Sequence, residues 1–205
     1  MRLFSIARLG TLALLAIGLV ACDDYPTKPP PVLSYTPKAT VIPEVTAAAL
    51  TNVDVPEMAL SMLIPSNWKQ PVYQDNSNLI LSPDGSTSTS YNAGPFVIIR
   101  VGDSTYFQKL LAFQTTLTDP LQRLDSMLTG INRDAASFTP AQLYPWGKYP
   151  GAYTTGYERD NQLSIVLLKA GPDRWVYIGT QAKEIYFTYY DTAVFQPLIN
   201  SITLR

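Results

Sequence analysis

The chain has 205 residues, 46% of them hydrophobic and 15% charged, with a formal net charge of -1 and a pI near 5.4. That is apolar mass enough for one folded domain plus flanking segments, and it excludes a chain disordered throughout. The lack of a basic excess argues against nucleic acid as a partner, and the absence of histidine removes the commonest metal ligand and the commonest general base at neutral pH.

Arg2 and Arg8 make the start positive, residues 9–20 form an apolar run without a charge, and Ala21 and Cys22 follow. Twelve residues span about 18 Å as a helix, against a hydrocarbon core of roughly 30 Å, so the run reads as a secretory signal and not as a membrane span. Leu19-Val20-Ala21-Cys22 resembles the lipobox of bacterial lipoproteins. The resemblance implies that residues 1–21 are a signal peptide that is removed. Cys22 then carries a diacylglyceryl thioether, and acyl chains worth about 0.8 kcal/mol per buried methylene hold the protein on a bilayer. The expected location is the outer face of the cytoplasmic membrane, the periplasmic side where the cell has two membranes. Asp23 and Asp24 resemble a signal for retention on the inner membrane of such a cell. Cys22 is the sole cysteine, so no disulfide forms within the chain.

Without residues 1–21 the chain keeps 13 basic against 16 acidic side chains. Residues 22–56 carry prolines at 26, 29, 30, 31, 37, 43 and 56, with threonines between them. Proline lacks a donor and restricts its predecessor, so regular helix or sheet is not expected and the segment reads as a polyproline-type tether. Extended, it reaches on the order of 100 Å. Lys28-Pro29-Pro30-Pro31 also suits a groove that binds proline-rich ligands.

A folded domain is expected over 57–205. In EMALSMLIP, Met58, Leu60, Met62 and Ile64 share one face of a strand. NLILS (78–82) is a second strand and PFVIIRV (95–101) a third, apolar on both faces and therefore central. Between them lies a polar loop with Asp84-Gly85 at its tightest point. Helical spacing covers 104–117 through Phe107, Leu110, Leu111, Gln114 and Leu117. A second helix starts with Asp119 as cap, Pro120 at its first position and Gln122 able to close a capping box. Its stripe is Leu121, Leu124, Leu128 and Ile131, with Gly130 and Asn132 at the end. AYTTGYER (152–159), a two-residue turn at Asp160-Asn161 and QLSIVLLK (162–169) make a hairpin, followed by RWVYIGTQ (174–181). A last helix is expected over much of the stretch from Phe187 to Asn200, capped by Thr188 or Asp191, with Pro197 kinking it or standing near a start. ITLR closes the chain as strand or coil.

These elements give an α+β class, an antiparallel sheet covered by helices. Ile64-Pro65-Ser66-Asn67-Trp68 resembles the strand–Pro–x–x–Trp opening of the PsbP-like fold. Residues 195–202 (FQPLINSI) resemble its closing helix-to-strand exit, and Trp175-Val176-Tyr177-Ile178 the strand before it. The resemblance covers about 57–205 and implies a PsbP-like α/β/α sandwich with a non-catalytic binding or assembly role. Members include the extrinsic PsbP subunit of photosystem II, a nuclear-transport factor that binds a small GTPase, and bacterial lipoproteins without assigned activity. It carries over no site, because the photosynthetic subunit's metal-site histidines have no counterpart here.

Ser–His–Asp and Cys–His arrangements need a histidine, and Cys22 lies outside the domain, so no catalytic residue is expected. Zinc sites are excluded on the same residues, and no phosphate loop is present, so neither metal nor cofactor is expected. Asp103, Asp119, Glu158, Asp160, Asp173, Glu184 and Asp191 fall at expected turns and caps, as do Asp75-Asn76-Ser77-Asn78 and Asp84-Gly85-Ser86. The remaining candidate is the aromatic loop 143–153 with Tyr144, Trp146, Tyr149 and Tyr153. Rings held in a Pro/Gly-rich loop suit a partner-binding surface, and the same rings also suit the edge of a core. The functional expectation is a non-enzymatic, membrane-anchored accessory module for a membrane-associated protein complex. The alternatives are a capture module for a small molecule or glycan, which needs a ring-lined pocket, and a carboxylate hydrolase, which needs two carboxylates in one cleft.

Overall fold

The computed structural model describes residues 49–90, 93–111, 116–130, 136–145 and 147–205. These residues all belong to the unit Val41–Arg205. Cys22, the tether up to residue 48, Ile131, Asn132 and Trp146 lie outside the described residues.

The strands are β1 (Leu50–Val55), β2 (Leu60–Pro65), β3 (Val72–Asp75), β4 (Asn78–Leu81), β5 (Phe96–Gly102), β6 (Ser137–Phe138), β7 (Gln142–Leu143), β8 (Gly151–Glu158), β9 (Asn161–Gly171), β10 (Arg174–Lys183) and β11 (Thr203–Leu204). The helices are α1 (Ser104–Leu111), α2 (Pro120–Gly130), α3 (Glu184–Tyr190) and α4 (Gln196–Ser201), with a π-helical turn, Asp191–Phe195, joining α3 to α4. The described strands form a small sheet in the order β1-β2-β11 and a large antiparallel one in the order β3-β4-β5-β10-β9-β8-β6, with β7 also on β8. The α+β class with helices on an antiparallel sheet is thus the class observed.

Alternation along the central strands builds two cores. Val97, Ile99, Val176, Ile178, Val166 and Leu168 face β2 and the C-terminal helices, where Leu60, Met62, Ile64, Trp68, Phe195 and Leu198 meet them. Phe96, Ile98, Trp175, Ile165 and Leu167 face the other way, onto Phe107 of α1 and Leu124, Met127 and Leu128 of α2. A central strand buried on both sides must be apolar on both, which is why PFVIIRV lacks alternation. Each fully buried Leu or Ile contributes about 1.5–3 kcal/mol.

Local chemistry ends several elements as expected. Asp119 Oδ1 accepts the Gln122 amide at 3.0 Å and caps α2. Asp103 Oδ1 does the same for Tyr106 at 2.7 Å at the start of α1. Asp75 and Asp84 accept the amides two residues on, Ser77 at 2.7 Å and Ser86 at 2.9 Å, the usual Asx-turn arrangement.

Five expectations need correction. The domain does not begin at Glu57: Leu50–Val55 pairs along its whole length with β2, from Leu50 opposite Pro65 to Val55 opposite Leu60. Met58 is buried in a short 3-10 turn and not in the strand. The first helix was expected to 117, and its described part ends at Leu111 with Leu117 outside any helix. The hairpin turn is Arg159-Asp160, because Asn161 pairs with Glu158, and Arg159 takes a positive φ of 56° that favours a residue without a branched side chain. The last helical segment starts at Glu184, so Thr188 and Asp191 are internal. Its first amide is satisfied by the Asp160 carbonyl at 2.9 Å, and Lys183 pairs with the Asp160 carboxylate at 2.8 Å.

Candidate functional site in the cleft beside the C-terminal helices

The cleft begins with strand register. Tyr153 lies opposite Val166 and Thr155 opposite Ser164, so four side chains form a block on one face of β8 and β9. Ser164 and Thr180, cross-strand neighbours on β9 and β10, share a hydroxyl hydrogen bond of 2.6 Å. The wall opposite comes from the π-helical turn. Pro197 has no amide to give the Ala193 carbonyl, and its ring crowds that carbonyl, so an α-helix cannot run through unchanged. The chain widens instead, and the Gln196 amide bonds the Asp191 carbonyl five residues back.

The widening aligns two side chains. Five residues are about 1.4 turns of an α-helix, which would point Asp191 and Gln196 in different directions. Across the π turn, Gln196 Nε2 donates to Asp191 Oδ2 at 2.7 Å. Together with Tyr144, Tyr153, Thr155, Ser164, Val166 and Ile199 they enclose about 140 Å³. Burial holds the Asp191 carboxyl above the usual aspartate range, and the Gln196 hydrogen bond opposes this. Burial, with the nearby Asp191 charge, pushes the Tyr144 phenol up to about 12. Among the described residues no cation lies within ion-pair distance of Asp191.

The aromatic loop joins this cleft through two of its rings. Tyr144 is buried, meets Tyr153 edge-on at 6.1 Å between centroids, and donates its hydroxyl to Asn200 Oδ1 at 3.1 Å. Tyr153 is half-buried and donates to Gln142 Oε1 at 2.9 Å. Tyr149 is half-buried against the core, and its hydroxyl accepts the Leu204 amide at 2.9 Å. Lys148 Nζ reaches Thr203 Oγ1 at 2.8 Å. The loop therefore clamps the C-terminal strand. Trp146 lies outside the described residues. The large apolar side chains that do stand out beside these elements are Leu143 of β7, 64% exposed, and Ile185 of α3, 71% exposed.

A second polar constellation sits under α1 and α2. Arg123 is 1% exposed, lies 4.2 Å over the Trp175 ring and donates to Ser104 Oγ at 2.7 Å. Ser104 bonds the Asp173 carboxylate, which also takes the Ser104 amide at 3.1 Å. These bonds, chiefly the Ser104 hydroxyl, hold the Asp173 carboxyl below its ordinary value. Each member already has a packing or capping task, so the constellation ties α1, α2 and β10 together. Further hollows measure about 260 Å³ (at Ser82, Gly94 and Tyr190) and 200 Å³ (at Arg100, Glu158 and Tyr177) and are more open than the cleft. Among the described residues no group of three or more Cys, Asp or Glu is placed to hold a metal.

Two members of the cleft, Tyr144 and Tyr153, were legible as candidates in the sequence. Asp191 reads as a cap in the sequence, and Gln196 and Ser164 do not stand out there. The one local signal for them is Pro197, expected to kink the helix or stand near a start, and it stands in the first turn of α4.

No family model and no curated protein matches the sequence. Similar solved structures exist. The solution structure of cyanobacterial PsbP (CyanoP) from Synechocystis matches with a TM-score of 0.49 and 10% identity, over 77% of this chain and 94% of that one. The Ran-binding protein Mog1p of Saccharomyces cerevisiae matches with a TM-score of 0.47 and 7% identity, over 77% and 96%. A Bacteroides thetaiotaomicron protein matches with a TM-score of 0.43 and 13% identity over 75% of this chain. The chain spans about half the length, 48%, of that protein.

Proposed function

We propose that this protein is a lipid-anchored, extracytoplasmic and non-enzymatic binding module that serves a membrane-associated protein complex. Cys22 carries the anchor, residues up to the start of β1 are the tether, and the domain is the part that engages the partner. The domain works on the outer face of the cytoplasmic membrane. The observation that carries this reading is the scale of the hollows. Four hollows lined by described residues measure about 140 to 260 Å³, below the roughly 300–1,000 Å³ of pockets that enclose drug-sized ligands. Leu143 and Ile185 meanwhile offer apolar side chains from regular elements, which suits a protein contact. The carboxylate-hydrolase reading needs two carboxylates in one cleft, and Asp191 stands as the single carboxylate lining the enclosed one.

The test is cross-linking and capture from native membranes of the full chain, with Leu143→Asp, Ile185→Asp and Cys22→Ser variants. The expected result is one membrane-complex subunit recovered with the parent chain and lost with one exposed-residue variant, while Cys22→Ser moves the protein out of the membrane fraction. Recovery of no specific protein, or a Cys22→Ser chain that stays on the membrane, overturns the reading. A second reading, capture of a small molecule, is favoured by the ring-lined cleft around Asp191.

A further inference from the structure

We infer that the cleft formed by Tyr144, Tyr153, Thr155, Ser164, Asp191 and Gln196 is a binding site for a primary alkylammonium group. The inference deepens the binding reading by naming what the cleft takes, and it holds whether the amine is free or the end of a lysine side chain on a partner.

Charge selects the ligand class. A half-buried carboxylate is costly unless paired, and Asp191 has one amide hydrogen bond and no cation among the described residues. Gln196 occupies Oδ2, so no described bond claims Oδ1. Burial raises both the Asp191 carboxyl and the Tyr144 phenol, and the Asp191 charge adds to the second. A ligand bringing positive charge relieves both. An anion is excluded on the same ground.

Shape and lining narrow it further. Tyr rings attract cations through their faces, so rings beside a carboxylate suit an organic ammonium. The hydroxyls of Thr155 and Ser164 give acceptors for its other N–H groups. An apolar cavity of about 150 Å³ takes a benzene-sized guest, so about 140 Å³ suits an ammonium with a chain of about four carbons. Val166 and Ile199 supply the apolar wall for that chain. Guanidinium is planar and wants a bidentate carboxylate, which Gln196 denies it.

The experiment is an amide NMR titration of the full chain in detergent micelles with n-butylammonium chloride, beside n-butanol as a neutral probe of equal size. Saturable shifts are expected at Ser164, Asp191 and Gln196 with the ammonium, and none that saturate with butanol. Asp191→Asn, which keeps the volume and can keep the Gln196 bond, is expected to weaken ammonium binding about tenfold or more. Tyr153→Leu is expected to weaken it about two- to fivefold. Equal response to ammonium and butanol, no saturation with either, or an Asp191→Asn chain that binds as the parent does, each overturns the inference. The butanol comparison needs no variant, so it decides the matter even if Asp191→Asn fails to fold. A third probe, the capped tripeptide Gly-Lys-Gly, separates the two sources. Binding like that of n-butylammonium assigns the site to a partner's lysine, and binding of n-butylammonium alone assigns it to a free amine. Failure here leaves partner capture through Leu143 or Ile185 standing, and failure of that capture leaves this titration unaffected.

Discussion

Gln196 reaches Asp191 across five residues of helix, Nε2 to Oδ2 at 2.7 Å, and this bond exists because the turn between them is π-helical. A proline one position further on is the cause, and the carboxylate it orients is the charged member of the cleft.

Replacing Pro197 tests that chain of cause. In Pro197→Ala the Ala193 carbonyl regains an amide, and the turn is expected to close to α-helix. The Asp191–Gln196 bond is then lost and the two side chains diverge. NMR should show α-helical shifts through 191–197 and a Tyr144 phenol lowered toward its ordinary value. An unchanged Tyr144 titration would show that the π turn has another origin.

The Asp191 carboxyl has a sign that melting curves can read. Its value in the folded chain is raised above the 3.8 of the free group, so the folded state holds this proton more tightly than the unfolded one. The corresponding stability is present below about pH 3.8 and is lost as pH rises through the raised value. The Tyr144 phenol, pushed up to about 12, stays neutral through that range. Asp191→Asn is expected to melt higher than the parent at pH 7 and to remove this loss between pH 4 and pH 7. A parent and variant with parallel curves would contradict the burial assigned to the carboxyl.

Arg123 is a cation sealed between Trp175 and Ser104. Arg123→Ala leaves the Ser104 hydroxyl and the indole face without it and opens a void under α2. The expected cost is about 3 kcal/mol, read as a lower urea midpoint with an unchanged slope. A loss under about 1 kcal/mol would mean that the cation–π contact and the buried bond are offset by the relief of desolvation.

Tyr149 holds the end of the chain. Tyr149→Phe keeps the packed ring and removes the acceptor of the Leu204 amide, so β11 is expected to loosen from β2. The cost is about 1 kcal/mol, and hydrogen exchange at Leu204 should rise while exchange in β10 stays slow. If exchange at Leu204 is unchanged, the strand pairing of Thr203 and Leu204 with Ser61 and Leu60 suffices alone.

Residue pattern by itself determined the elements with strong local signals. Alternation gave the faces of β2, apolarity on both sides placed β5 at the centre, and Asp119-Pro120 set the start of α2, because each of these depends on neighbours within a few positions. The lipobox resemblance and the proline-rich segment belong to this local class too. Tertiary structure decided the rest. Leu50–Val55 carries polar residues at Thr51, Asn52 and Asp54 and becomes a strand because β2 offers it a ladder. The hairpin turn moved by one residue because Asn161 is buried and joins the ladder opposite Glu158. Asp191 looked like a cap, and only the packing of the helix against β8 and β9 shows that it is half-buried and aimed at two tyrosines distant in sequence. Burial is a property of what lies opposite, and no short stretch of sequence encodes its own opposite wall.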